Sequence, residues 1–238
     1  MEAGQTDLGA LGFWELVERV KRDPGLVERF ADRVGRIDRE VFERGVRPRF
    51  RLWLGDLVLV AGTLLFAVLV AGALGLVHGN RFIYGPFEPR GTSADATVAG
   101  ALLIVAAGGL SVTVHDLGHR VMGRLQGIGF LGYFLDGPFR IQPGLKIDYA
   151  SYLRARPEKR VGMHAAGALA SKAAPFAVFA AAYIPHAASN WNLFPAWSLW
   201  AVLGIGVGQI VTDVVWSRTR SDWKKVRRER MVVRDLAA

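Results

Sequence analysis

The chain contains no cysteine. Disulfides, thiolate metal sites and cysteine nucleophiles are therefore excluded, and any metal it holds must be bound by His, Asp or Glu. Charge is missing from long stretches: Leu57 to Val77 carries none, and neither does Ala99 to Val114. With 51% hydrophobic residues over the whole chain, runs of this length point to membrane spans. The first 50 residues hold no secretory-type apolar stretch but ten Lys/Arg and ten Asp/Glu, so the first span is expected to act as its own insertion signal. Acidic residues are the minority, 21 against 30 basic ones. The resulting net charge of +9 fits either nucleic acid or an anionic lipid surface, and its distribution decides between them.

Taken in order, the sequence predicts an all-α polytopic membrane protein with four transmembrane helices and a small cytoplasmic β element. Residues 1–52 form amphipathic helices, with Phe13, Leu16, Val17 and Val20 at helical spacing; Asp23 caps the second helix and Pro24 takes its first position. This pair is a solvated cap or an interfacial element on the bilayer. The membrane domain, 53–217, holds spans at about 57–77, 96–126, 161–185 and 197–216. Between the second and third, Phe139 to Gln142 and Leu145 to Tyr149 alternate about Pro143-Gly144, which predicts two short strands joined by a turn within about 138–150. Residues 218–238 form a basic tail, and Ser221 to Lys225 within it reads as an amphipathic surface helix without chemistry.

Lysine and arginine set the orientation. Eight of them, from Arg120 to Arg160, follow the second span, and eight more, from Arg218 to Arg234, follow the fourth. The connection between spans three and four has none. By the positive-inside rule both termini and the long middle connection face the cytoplasm, with the cell membrane as the expected location. The excess cations then meet anionic headgroups of the lipid bilayer, and no nucleic-acid partner is expected.

The chemistry centres on His115-Asp116-Leu117-Gly118-His119, which ends the charge-free second span without a helix breaker. Histidines four residues apart project from one helix face and can grip a single metal ion. Ionisable groups at that depth are costly, and their default reading is functional. Asp213 lies near the same end of the fourth span, so two imidazoles and a carboxylate could leave a fourth tetrahedral position for water. Alternatively Asp213 is an interfacial carboxylate paired with Arg218 or Arg220, and His164 and Asp136 are rival third ligands. Lys172, eleven residues into the third span, costs roughly 2.5–3.5 kcal/mol to insert, so it is expected to face Asp213, Asp116 or a developing oxyanion.

With these residues in view, the chain resembles the site-2 protease family of intramembrane zinc metalloproteases over roughly residues 96–223. That family carries His-Glu-x-x-His in one transmembrane helix, an Asp ligand in the second helix after it, and a short cytosolic sheet between the first two. The matching parts are His115 to His119, the strand-like Phe139 to Tyr149, Ala166-Gly167-Ala168 and Asp213. The resemblance implies Zn2+ held by His115, His119 and Asp213, and Asp116 as the base where the family has Glu. It also implies a membrane-protein substrate with a transmembrane helix, held extended by Phe139, Ile141, Leu145 and Ile147 on a strand edge. Three departures stand out: Asp116 is one methylene shorter than Glu, Ala168 replaces the usual Pro with Ser171 where Asn is expected, and Asp213 is followed by Val214-Val215 in place of Gly-Gly. The competing expectation is a catalytically weak or inactive relative that binds transmembrane partners; a metal-binding transporter is disfavoured by the lack of a repeated polar pathway.

Overall fold

A charge-free run in lipid must satisfy its own backbone hydrogen bonds, so it forms a helix. In the computed structural model, which describes residues 8–45, 48–84, 93–136, 142–189, 194–215 and 221–237, helices dominate. In chain order the elements are α1 (Phe13–Lys21), α2 (Pro24–Gly45), β1 (Arg49–Phe50), α3 (Leu52–Tyr84), α4 (Ser93–Leu125), β2 (Phe130–Asp136), β3 (Gln142–Ile147), α5 (Tyr149–Arg154), α6 (Pro157–Ser189), α7 (Ala196–Val215) and α8 (Asp222–Ala237). Three of these helices are long and apolar enough to cross a membrane, over Leu52–Val77, Ala94–Leu125 and Pro157–Ile184. The 26 residues of the first rise about 39 Å, more than the roughly 30 Å of a hydrocarbon core. The expected fourth span does form a helix, α7, of 20 residues. Among the described residues these three are the spans shown, and α7 is not among them.

The chain packs as two compact units. One gathers Met1–Leu57, Asp116–Ala166 and Arg220–Ala238; the other gathers Val58–His115 and Gly167–Thr219. The core of the second unit mixes Ala73, Ala99, Ala107 and Ala182 with larger side chains such as Leu103, Val178, Phe194 and Val202, and the alanines let helices approach closely. Within it Lys172 pairs with Asp213, so the polar group in α6 meets the carboxylate in α7. Each charge thereby loses much of the penalty it would carry alone in an apolar helix.

In the first unit the α1–α2 break follows the cap read from sequence: Asp23 Oδ1 accepts from the backbone N–H groups of Gly25 (2.8 Å) and Leu26 (3.2 Å). Phe13, Val17, Val20, Ala31 and Val34 then close a core with Leu153 of α5. The sheet has order β1-β2-β3, antiparallel throughout. Its bounds correct the expected hairpin, because Pro143 and Gly144 lie inside β3, opposite Leu135 and Phe134, and make no turn. Proline is tolerated there because β3 is an edge strand among the described elements. The partner strand escaped the sequence reading because Phe130 to Leu135 does not alternate. Tyr133 hydrogen-bonds to Asp56 while Phe134 packs edge-on against Phe42 (5.7 Å), so these two successive residues of β2 both find protein partners.

One buried pair in this unit titrates. Lys146 Nζ of β3 donates to Asp38 Oδ1 of α2 at 2.6 Å, and Asp38 is 2% exposed. Burial holds the Asp38 carboxyl above its ordinary value of 3.8, and the Lys146 ammonium opposes that rise without cancelling it. A carboxyl raised in the folded state binds its proton more tightly there than in the unfolded chain. Its contribution is therefore present at low pH and lost as pH rises from 3.8 through the folded value. Unfolding free energy measured against pH should show this decline in the native chain, and Asp38→Asn should flatten it.

Candidate metal centre

Helix α4 runs unbroken through the histidine motif and stops at a Schellman turn. Gly127 takes φ 79°, Gly127 N bonds Arg124 O (3.1 Å), and Ile128 N bonds Gly123 O (2.8 Å). The boundary between the two units falls within this helix, after His115, so helical geometry alone sets the separation of His115 from His119.

His119 is buried and held from both sides. Its Nδ1 lies 2.8 Å from the Met163 carbonyl of α6, which can only accept, so Nδ1 carries the proton. Nε2 then presents a lone pair, and 3.1 Å from it is Asp222 Oδ2. Asp222 is the first residue of α8, and its other oxygen, Oδ1, accepts from Lys225 Nζ at 2.8 Å. Two acceptors at 3.1 Å need a cation between them, either a second proton on the imidazole or a metal ion. Ligands about 2.05 Å from a tetrahedral zinc stand about 3.3 Å apart, close to what is seen here.

His115, His119 and Asp222 each offer one ligand atom, and the three atoms lie within 4.8 Å of one another. His115 is oriented in the same manner as His119. Its Nδ1 lies 3.4 Å from Ser171 Oγ, and that hydroxyl donates to the Ala168 carbonyl at 3.1 Å, leaving its lone pairs toward the ring. An outer oxygen on one ring nitrogen fixes the tautomer and aims the other, as metal-ligating histidines commonly require. The donor set of two imidazoles and a carboxylate fits zinc, and this group could hold a metal ion.

The carboxylate that groups with the two histidines is not the one expected from the sequence. Asp213 is not in the group; it is engaged with Lys172, and the carboxylate that meets His119 is Asp222, to which no chemistry was assigned. The signal that could have found it is weak: an Asp just before an amphipathic run reads equally well as a favourable charge at a helix N-terminus. Lys172 also donates to the Ala168 carbonyl at 3.1 Å. Ser171 touches His115 through the contact above, so its place is beside that imidazole. Asp116 is buried on α4; burial first, then Asp56 and to a lesser degree the Asp116 charge, hold the Tyr133 phenol well above its usual range. Of the rival ligands, His164 instead meets the Tyr152 hydroxyl through Nε2 at 2.9 Å, with its ring edge-on to His119 (6.2 Å), and the Asp136 side chain lies outside the described residues. Leu145 and Ile147 are half-buried and pack against the cluster of Ile128, Phe130, Tyr152 and Met163. Phe139 and Ile141 lie outside the described residues.

No protein-family model, curated protein or solved structure matches this chain.

Proposed function

We propose that this protein is an intramembrane zinc metalloprotease of the site-2 protease type, cleaving peptide bonds in or beside transmembrane helices of membrane-protein substrates. The observation that carries the reading is the His119–Asp222 contact, one helical turn from His115, with each imidazole backed by an oxygen. His115, His119 and Asp222 hold the ion in this reading. Zinc, when bound, supplies Lewis-acid polarisation and makes water acidic enough to attack near neutral pH. Asp116 accepts the proton of the attacking water at its carboxylate; as the new C–O bond forms and the C–N bond breaks, it returns that proton to the leaving amine nitrogen. The substrate helix unwinds locally, and its backbone adds to the outer edge of β3.

The same proposal has α7 as a fourth span, its Asp213 neutralised by Lys172, in the cell membrane with both termini in the cytoplasm. A second reading keeps the metal and the fold but not the turnover, the chain serving to bind transmembrane partners. The short stem of Asp116 favours it, since a misplacement of about 1 Å at a catalytic group can cost on the order of a hundredfold.

Cleavage of model transmembrane helices by the zinc-loaded, detergent-purified protein separates the two. Asp116→Asn should abolish cleavage while zinc content stays unchanged, and Asp116→Glu should raise the rate if the short stem is limiting. A zinc-loaded wild type no faster than Asp116→Asn would reject the protease and leave the partner-binding reading.

A further inference from the structure

Helix α8 is held by a buried carboxylate. Glu229 is 1% exposed, and three elements reach it. Lys21 Nζ, at the end of α1, donates to Oε1 at 2.8 Å, and the Tyr152 hydroxyl of α5 donates to the same oxygen at 2.9 Å. Arg160 of α6 forms an ion pair with Oε2 at 3.1 Å and lies over the Tyr152 ring. Burial, with the Glu229 charge beside it, holds the Tyr152 phenol well above its usual range, so it keeps the proton it donates. Its oxygen then accepts from His164 Nε2.

We infer that Glu229 is a positioning residue for the metal centre: it fixes the register of α8 and thereby places Asp222 against His119. This rests on the reading of His115, His119 and Asp222 as ligands. Asp222 and Glu229 are seven residues apart, two turns and about 10 Å along one helix face. Val226 between them is buried as well, whereas Arg227, Arg228 and Arg230 are exposed. Apolar anchoring is thin in a helix so rich in arginine, with Val226 and Val232 its buried hydrophobic residues. Buried ion pairs add little net stability but can specify register, because a wrong register strands the charges. Sliding α8 by one residue turns it by about 100°, which takes Glu229 from Lys21 and Arg160 and swings Asp222 away from His119. The N-terminal helix α1 is thus tied, through Lys21, to a ligand more than 200 positions later in the chain.

The test is a double-mutant cycle on zinc affinity, measured by chelator competition on the full chain in detergent. Glu229→Gln keeps the side-chain shape and should weaken zinc about 10- to 100-fold, the range for groups that orient ligands. In an Asp222→Ala background the same change should have no further effect, and the cobalt-substituted proteins should share one altered ligand-field spectrum. Equal weakening in both backgrounds, or native affinity in Glu229→Gln, would overturn the inference. Asp222→Ala with native affinity would instead reject the metal-centre reading beneath it. If Glu229→Gln fails to fold, Tyr152→Phe removes one donor while all charges stay paired. It should weaken zinc several-fold with the same dependence on Asp222, and an effect independent of Asp222 would overturn the inference.

Discussion

Asp222→Ala is expected to strip the detergent-purified protein of its zinc, while Asp213→Ala keeps about one ion per chain. Groups that only orient a ligand change metal affinity by about 10- to 100-fold, so loss of the carboxylate itself should exceed roughly a hundredfold. His119→Ala should do the same, since its Nε2 and Asp222 Oδ2 face each other at 3.1 Å. Asp213→Ala acts elsewhere: it leaves Lys172 in α6 without its carboxylate, so the cost appears in folding or insertion and not in metal content. Metal analysis of the three variants beside the wild type, with thermal unfolding of each, reads both effects. Zinc retained by Asp222→Ala and lost by Asp213→Ala would return the third ligand to α7. No zinc in any form, even after addition, would reduce His119 and Asp222 to an imidazolium–carboxylate pair.

The contrast between Asp213 and Asp222 also marks where the sequence stops being informative. Features set within one helix were legible: the charge-free runs, the Asp23 cap and the one-turn separation of His115 from His119 all follow from local spacing. Features set by what a side chain meets across the fold were not. Lys172 had to find a carboxylate, and Asp213 was a foreseen partner; nothing local distinguishes that role from one at a metal. Asp222 and Glu229 sit in a run of arginines and lysines that reads as a solvated face. Only the docking of α8 turns that face inward, and a helix this polar gives little periodic hint of it. The strand β2 was hidden for the opposite reason. With partners for successive residues, it shows a continuous apolar run that a short buried helix segment would also show.

A second large effect is expected at Asp56, at the start of α3. Its Oδ1 accepts from the Tyr133 hydroxyl at 2.9 Å and from Arg120 Nε at 3.2 Å, and its Oδ2 accepts from Arg120 Nη2 at 3.2 Å. Three elements, α3, α4 and β2, are joined at one carboxylate, which α4 meets through Arg120, one residue beyond the motif histidine His119. Gly55 makes the approach possible: a Cβ there would lie 2.0 Å from the Tyr133 ring, so any larger residue would push the strand off the helix. Arg120 is 9% exposed and stacks over Phe130 (5.3 Å), so it cannot turn to water without giving up that contact. Asp56→Ala therefore strands a buried guanidinium and a buried phenol together, and should cost roughly 3–5 kcal/mol. Tyr133→Phe removes only one hydrogen bond to a charged group whose other partner remains, and should cost about 1.5 kcal/mol. Arg120→Met combined with Asp56→Ala should recover much of the single Asp56→Ala loss, because the uncompensated charge goes with it. Denaturant unfolding of these variants in one detergent decides the matter. A penalty for Asp56→Ala no larger than that of Tyr133→Phe would mean that Arg120 finds solvent in solution, and that α3 and β2 are joined by packing around Gly55 alone.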